Sequence, residues 1–424
     1  MRTHSRAPGA RTSRLTLPLY AYAATEEFVL LYPLYALLFQ DHGLSVVQIS
    51  SLFFLWSASG VLLGLPAGVW ADVVPRRYLL AAAPLLTAAA FTLWLVAPSY
   101  WAFALGFVLW GAGGALSSGA LEALVHTELD RRGAADRYAR VMGVTRALGV
   151  AAVGGSALLA VPVMAAGGYP AIGAASVAAC VLCSVAALAL PEHRSAAAAS
   201  TAGDGTDDPA GGGPDAADGE TPSAYVAALR AGLSEARSRR SVRAAILLVV
   251  VVATFWGVLD EYVPLLAVEA GTPEDLVPLV VLVAWIGATV GGLCAGWAER
   301  LPGRARPALL AVAGIALAAG ALLGGPVGWV LVGVGFGACQ TAEVLADARL
   351  QSAITGPSRA TVTSLARSGT DLFILSTYAV YAGVFVFLGH AGTFALLAAP
   401  YLVASALWAR PGARRTRDRS CARL

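Results

Sequence analysis

The sequence predicts an all-α membrane protein: twelve transmembrane helices in two pseudo-symmetric six-helix bundles. Three observations predict it. The chain of 424 residues is 58% hydrophobic and 13% charged, where a soluble domain carries about 25% charged residues, and its mean hydropathy is +0.69. All 29 basic residues are arginine, and they gather in alternate connections. One acid–base pair occurs twice: Glu122 and Arg146 recur 221 positions later as Glu343 and Arg367. A charge inside a span costs roughly 2.5–3.5 kcal/mol on insertion scales, so finding the same pair twice at one offset marks a tandem duplication. Duplicated polytopic halves are a common plan of secondary transporters.

With about 20 apolar residues per crossing, the first half divides into Leu15–Phe39, Val47–Trp70, Tyr78–Val96, Trp101–Val125, Arg140–Met164 and Tyr169–Leu190. The second half divides into Val242–Val268, Leu276–Ala298, Ala308–Gly324, Val327–Ala348, Thr361–Leu388 and Gly392–Trp408. Arginines precede the first span, follow the last and fill every even-to-odd connection. The opposite connections, near Asp41, Pro98, Gly167, Glu274, Gly325 and His390, have none. By the positive-inside rule both termini are cytoplasmic, in what the arginine-only, Ala/Gly-rich composition suggests is a bacterial plasma membrane. Glu26 and Glu27 interrupt the first apolar run, so an uncleaved span is expected there in place of a signal peptide. Residues 1–190 and 242–424 are therefore expected as the two bundles, with 191–241 as a cytoplasmic linker. Within that linker Ser195–Pro222 has almost nothing to bury, and Ser223–Arg243 alternates apolar residues with arginines, as a helix lying on the membrane surface does.

Several function classes are excluded. The charge of +3 is the orientation signal and gives no support to nucleic-acid binding. His4, His42, His126, His193 and His390 form no ligand or catalytic cluster, and Cys180-x-x-Cys183 lies on an apolar helix with no His nearby, so neither a metal, a cofactor nor an enzymatic activity is expected. No phosphate-binding loop is present. The expected partners are a small-molecule substrate, protons and membrane lipid, with the chain acting as a monomer.

The duplication extends to Gly60 and Gly64, which return at an offset of 227 as Gly287 and Gly291; small residues four apart let helix backbones approach closely. After the second span the chain reads Gly68-Val69-Trp70-Ala71-Asp72-Val73-Val74-Pro75-Arg76-Arg77. This resembles the signature loop of the major facilitator superfamily, G-x-L-A-D-x-x-G-R-R, with Trp70 and Pro75 as departures. A degenerate copy, Ala295 to Arg304, follows the eighth span and places Glu299, Arg300 and Arg304 correspondingly. The resemblance covers the whole chain. It implies that these loops act as a cytoplasmic gate, that spans one, four, seven and ten line a central cavity, and that the halves rock in alternating access. Asp72 is placed to meet a helix N-terminus, and Arg76 and Arg77 to meet acids of the facing bundle or anionic lipid.

The remaining intramembrane charges point to the chemistry. Glu122 and Arg146, and likewise Glu343 and Arg367, lie on consecutive helices within reach of one another and are expected to pair, which relieves the desolvation of each. Glu26 and Glu27 precede Pro33 in span one; Asp260 and Glu261 precede Pro264 in the corresponding span seven. These acids are expected to face one another across the cavity. Crowded carboxylates in a low dielectric cannot all be ionised, so at least one carries a transferable proton. An ionised one can hold a cation, aided by Tyr20, Tyr32, Tyr35, Trp256 and Tyr262 through cation–π contact. Asp371, four residues beyond Arg367, is either a site member or the helical partner of that arginine. The expected function is proton-coupled efflux (antiport) of lipophilic or cationic small molecules. Two features frequent in proton-coupled exporters of this superfamily are missing: an arginine in span four and a Gly-Pro pair in span five. Uptake of a sugar, organic acid or peptide by proton symport, and a sensor or assembly partner that kept the fold, therefore stay open as alternatives.

Overall fold

A bilayer offers the backbone no hydrogen-bond partners, so a chain this apolar is stable across it only as helix or closed barrel. The computed structural model describes residues 8–193, 239–300, 305–354 and 359–409, and these are helical with no strand among them. In order they form α1 (Pro8–Glu26), α2 (Tyr35–Asp41), α3 (Val46–Val73), α4 (Arg76–Val96), α5 (Tyr100–Ser117), α6 (Ala120–Arg131) and α7 (Tyr138–Leu188). Then follow α8 (Arg240–Glu269), α9 (Val277–Ala298), α10 (Ala305–Leu323), α11 (Gly325–Ala353) and α12 (Arg359–Ala409). The expected linker lies outside the described residues over 194–238, as do Arg304 and most of the expected surface helix. Gly68 and Asp72 fall on α3, with their side chains outside the described set.

Nine helical stretches among the described residues are long and apolar enough to cross a bilayer. Two of these run for 54 and 48 residues, roughly 70–80 Å at helical rise, against a hydrocarbon core of about 30 Å. Both break, at Gly168 (φ 57°) and Gly389 (φ 65°). The left-handed backbone there is one that glycine adopts without penalty, and the two glycines stand 221 positions apart, the offset of the duplicated charges. Span one is not among the nine because it is interrupted between α1 and α2. Twelve crossings are reached only by counting each kinked helix twice and the broken first span once.

The packing pairs repeat as well. In the first half α4 lies against α5 and α7, α3 against α5, and α1 against α7. In the second, α10 lies against α11 and α12, α9 against α11, and α8 against α12. Contacts between the halves run through α3–α12, α7–α9 and α2–α8. The duplicated glycines have different fates. A Cβ on Gly287 or Gly291 would strike the backbone of Gly333 or Gly337 in α11, so that seam is a true close approach. A Cβ on Gly60 or Gly64 meets nothing within 4 Å. The expectation of a tight seam thus holds for the second pair; the first borders open space.

At the end away from the arginines the halves are sealed by aromatics. The Tyr262 hydroxyl donates to Ser50 Oγ at 2.6 Å, its ring meets Phe53 edge-on at 5.3 Å, and it stacks on Tyr381 at 3.5 Å. Tyr262→Phe removes the one hydrogen bond in this set that joins the halves, worth about 1 kcal/mol. A spin-label distance across this end is expected to shift its closed-to-open population about fivefold towards open. An unchanged distribution would mean ring packing alone holds the seal.

Candidate substrate cavity

Two interruptions place the acids. After α1 the chain leaves helical geometry through Pro33, and Glu27 sits at the break. The Leu31 N–H freed there donates to Ser176 Oγ at 3.0 Å, which satisfies backbone that lipid could not. In α8 the Tyr401 hydroxyl accepts from the Trp256 N–H at 2.9 Å and donates to the Val252 carbonyl at 3.0 Å. It thus bridges the two groups of a single helical hydrogen bond, a recognised cause of local bending. Pro264, lacking an N–H, frees the Asp260 carbonyl. The segment with Trp256, Asp260 and Glu261 is therefore bracketed by two weak points in its ladder.

Adjacent residues on α8 face different spaces. Asp260 lines a cavity of about 440 Å³ together with Glu27, Tyr32, Trp256 and Trp285. Both carboxylate oxygens of Asp260 accept from Trp285 Nε1, at 3.1 and 3.2 Å. Tyr32 is held flat against Trp110, with ring centroids 5.4 Å apart. Among the described residues no basic side chain lines this cavity, and its walls at Val150, Ile286 and Val290 are apolar and about half exposed (49%, 52% and 52%). Glu261 instead borders a cavity of about 700 Å³ with Trp56, Tyr378, Arg367 and Asp371, over a floor that includes Gly60, Gly64 and Gly257. Its carboxylate accepts a hydrogen bond from the Tyr35 hydroxyl of the other half. This larger space runs from the aromatic seal towards the arginine-bearing ends of α3 and α12.

The acids therefore do not form one cluster. Glu27 and Asp260 meet across one cavity and Glu261 faces another. Glu26 turns into the first half, where it accepts from the Tyr22 hydroxyl at 2.9 Å in a pocket of about 130 Å³ beside Cys180 and Cys183. Among the described residues no group of three or more potential ligands could hold a metal ion.

Neither expected ion pair is closed. Among the described residues, the ion pairs join Glu128 to Arg132 and to His193. The reason is local in each half. Span four breaks at Gly119 (φ 72°), which puts Glu122 in the first turn of α6, where the positive end of the helix dipole favours a carboxylate. Glu343 accepts from Trp256 Nε1 at 2.8 Å, leaving Arg367 to the larger cavity. The side-chain hydrogen bonds of the signature-loop arginines stay within the first half. Arg76 Nη1 donates to Thr127 at 3.3 Å and Arg77 Nη2 to Tyr78 at 3.0 Å, both within their own half. The start of α4 is met by Glu192, whose carboxylate accepts from the Arg76 and Arg77 amides at 2.8 and 3.0 Å. Glu299 and Arg300 are exposed.

Of the aromatics read as cation partners, Tyr32 and Trp256 line the smaller cavity. Tyr35 holds Glu261, Tyr262 belongs to the seal, and Tyr20 packs at the arginine-bearing end of the first half. Trp285, Tyr378, Trp56 and Tyr401 escaped the sequence reading, because an aromatic in an apolar helix has no partner in the sequence to single it out. The intramembrane acids give the nearest signal: each of Asp260, Glu343 and Glu261 has an aromatic donor, and a search for such donors on adjacent helices would have found Trp285.

The sequence pattern described as Major Facilitator Superfamily matches residues 17–364. No curated protein sequence matches. Among solved structures, a variant of the nucleoside transporter NupG is similar with a TM-score of 0.75 and 13% identity, over 93% of this chain and 98% of that one. A D-xylose–proton symporter is similar at 0.65 and 12%, over 94% and 97%. A peptide transporter of the POT type in complex with sulfate is similar at 0.65 and 14%, over 95% and 97%. At these identities the likeness is one of fold.

Proposed function

The chain belongs to the major facilitator superfamily and is a multi-pass membrane transporter of that fold, and from this premise we propose that it exports a lipophilic organic cation in exchange for protons. The observation that carries the reading is the cavity in which Glu27 and Asp260 face Tyr32, Trp256 and Trp285, with no basic side chain on its walls among the described residues. Two carboxylates and three electron-rich rings make a cation site, and the apolar walls suit a lipophilic body. Loading of the cation requires at least one of the acids to lose its proton, because both cannot remain ionised in an empty low-dielectric space. Competition of cation and proton for the same carboxylates is all that antiport requires. The halves, 1–190 and 242–424, rock about the α3–α12 and α7–α9 contacts, with the Tyr262 seal closed while the larger cavity reaches the arginine-bearing end. With that end cytoplasmic, this is the conformation that loads an exported substrate.

Purified protein in unbuffered detergent is expected to release protons on addition of tetraphenylphosphonium. The release should disappear in Glu27→Gln or Asp260→Asn. Proteoliposomes of the two orientations then fix direction: accumulation driven by an acid interior only in inverted vesicles is export. A response to neutral sugars and none to the cation would overturn this reading in favour of an importer.

A further inference from the structure

We propose that the larger cavity is a second binding site, for an amphoteric molecule whose carboxylate docks on Arg367 and whose protonated amine faces Asp371 and Glu261. This extends the transporter reading and does not depend on the cation assignment of the smaller cavity. Arg367 stands inside a span, where an uncompensated charge is expensive, and the repeated offset led to a protein acid being expected as its partner. Yet Glu343, the acid expected for it, is committed to Trp256, and among the described residues the Arg367 guanidinium makes no hydrogen bond or ion pair. It lies instead on the wall of a cavity of about 700 Å³. A planar fork of N–H donors matches a carboxylate bidentately, so the cavity presents a ready anion acceptor on its wall.

The other charges of the same wall are both acidic. Asp371 is one helical turn beyond Arg367 on the same face of α12, and Glu261 enters from α8. One fixed cation and two acids in one cavity favour a ligand with both signs over a plain anion, which Asp371 would repel, and over a plain cation, which Arg367 would repel. Ser57, Ser364 and Ser368 add hydroxyls for a polar backbone. The floor explains the space: a Cβ on Gly60, Gly64, Gly114 or Gly257 would meet nothing within 4 Å. No packing demand accounts for those glycines, and they leave a flat bed beside Trp56 on which an aromatic side group can lie. A volume of about 700 Å³ falls in the range of small-molecule sites, about 300–1,000 Å³. The counterpart Arg146 borders neither cavity, so the arginine of this site has no duplicate within it and the site was not visible in the duplication.

The test is isothermal titration calorimetry of the full chain in lipid nanodiscs with three probes: phenylalanyl-phenylalanine, its methyl ester and its N-acetyl derivative. The free dipeptide is expected to bind at least tenfold tighter than either, and Arg367→Gln to erase its preference over the ester. Equal binding of the ester, or survival of the preference in Arg367→Gln, would overturn the role of Arg367. Equal binding of the N-acetyl form would overturn the amphoteric assignment, as would failure of all three to bind. Tetraphenylphosphonium in a parallel titration, with Asp260→Asn as its control, reports the smaller cavity separately. Its silence beside a dipeptide signal would sink the cation reading and leave this site standing.

Discussion

Asp260→Asn is expected to weaken binding of tetraphenylphosphonium by one to three orders of magnitude and to reduce its transport in proportion. Asp260 is held by a single donor, Trp285 Nε1, which reaches both of its oxygens, so its carboxylate is oriented without being neutralised. Removing one partner of a desolvated charge pair costs about 2–5 kcal/mol. The remaining aromatic contacts are worth only about 0.5–2 kcal/mol in such a setting, too little to compensate. Asn is nearly isosteric and can still accept from Trp285, so the fold should survive, and the loss would report charge. Binding titration and uptake in proteoliposomes measure the two sides of this expectation. A change below threefold in affinity would mean that the cation, if carried at all, is held elsewhere.

The second large effect is on stability. Gly291→Leu is expected to prevent stable assembly of the second half, and Gly287→Leu to do nearly the same. In both cases the new side chain would run into the Gly333 or Gly337 backbone of α11, and backbone cannot rotate aside as a side chain can. Overpacking in a core costs about 1–3 kcal/mol, occasionally more, even where side chains can yield. Gly64→Ala, at the duplicate position, adds a methyl to open space and is expected to leave the melting temperature within about 1 °C while trimming the larger cavity. Size-exclusion profiles and thermal melts of the pair of variants decide it. An equal fall for Gly64→Ala would show that α3 is as tightly seamed as α9.

Much of this protein is legible in its sequence for a plain physical reason: lipid penalises polar groups so heavily that span lengths, intramembrane charges and duplicated positions stand out against an apolar background. Apolar run lengths led to the all-helical membrane architecture, and the motif after the second span led to the family. The acids of spans one and seven were singled out because they are charged residues in the interior of long apolar runs. Sequence could not say which way each acid turns. Glu26 and Glu27 are neighbours, as are Asp260 and Glu261, and neighbours on a helix diverge by about 100°. Which cavity each of them meets depended on the breaks in their helices and on the helices that surround them.

The ion pairs failed for the same kind of reason. Offsets identified Glu122, Arg146, Glu343 and Arg367 as a repeated set, but a shared offset fixes position along a helix and not the partner chosen across it. A turn at Gly119 gave Glu122 a helix start, and Trp256 came within reach of Glu343. Sequence by itself determined the helices, their duplication and the inventory of buried charge, because each follows from the cost of placing residues in lipid. Only the tertiary structure decided which charges meet, because that is set by helix rotation and by aromatic donors on other helices, and it left Arg367 facing open space with Asp260 and Glu261 in separate cavities.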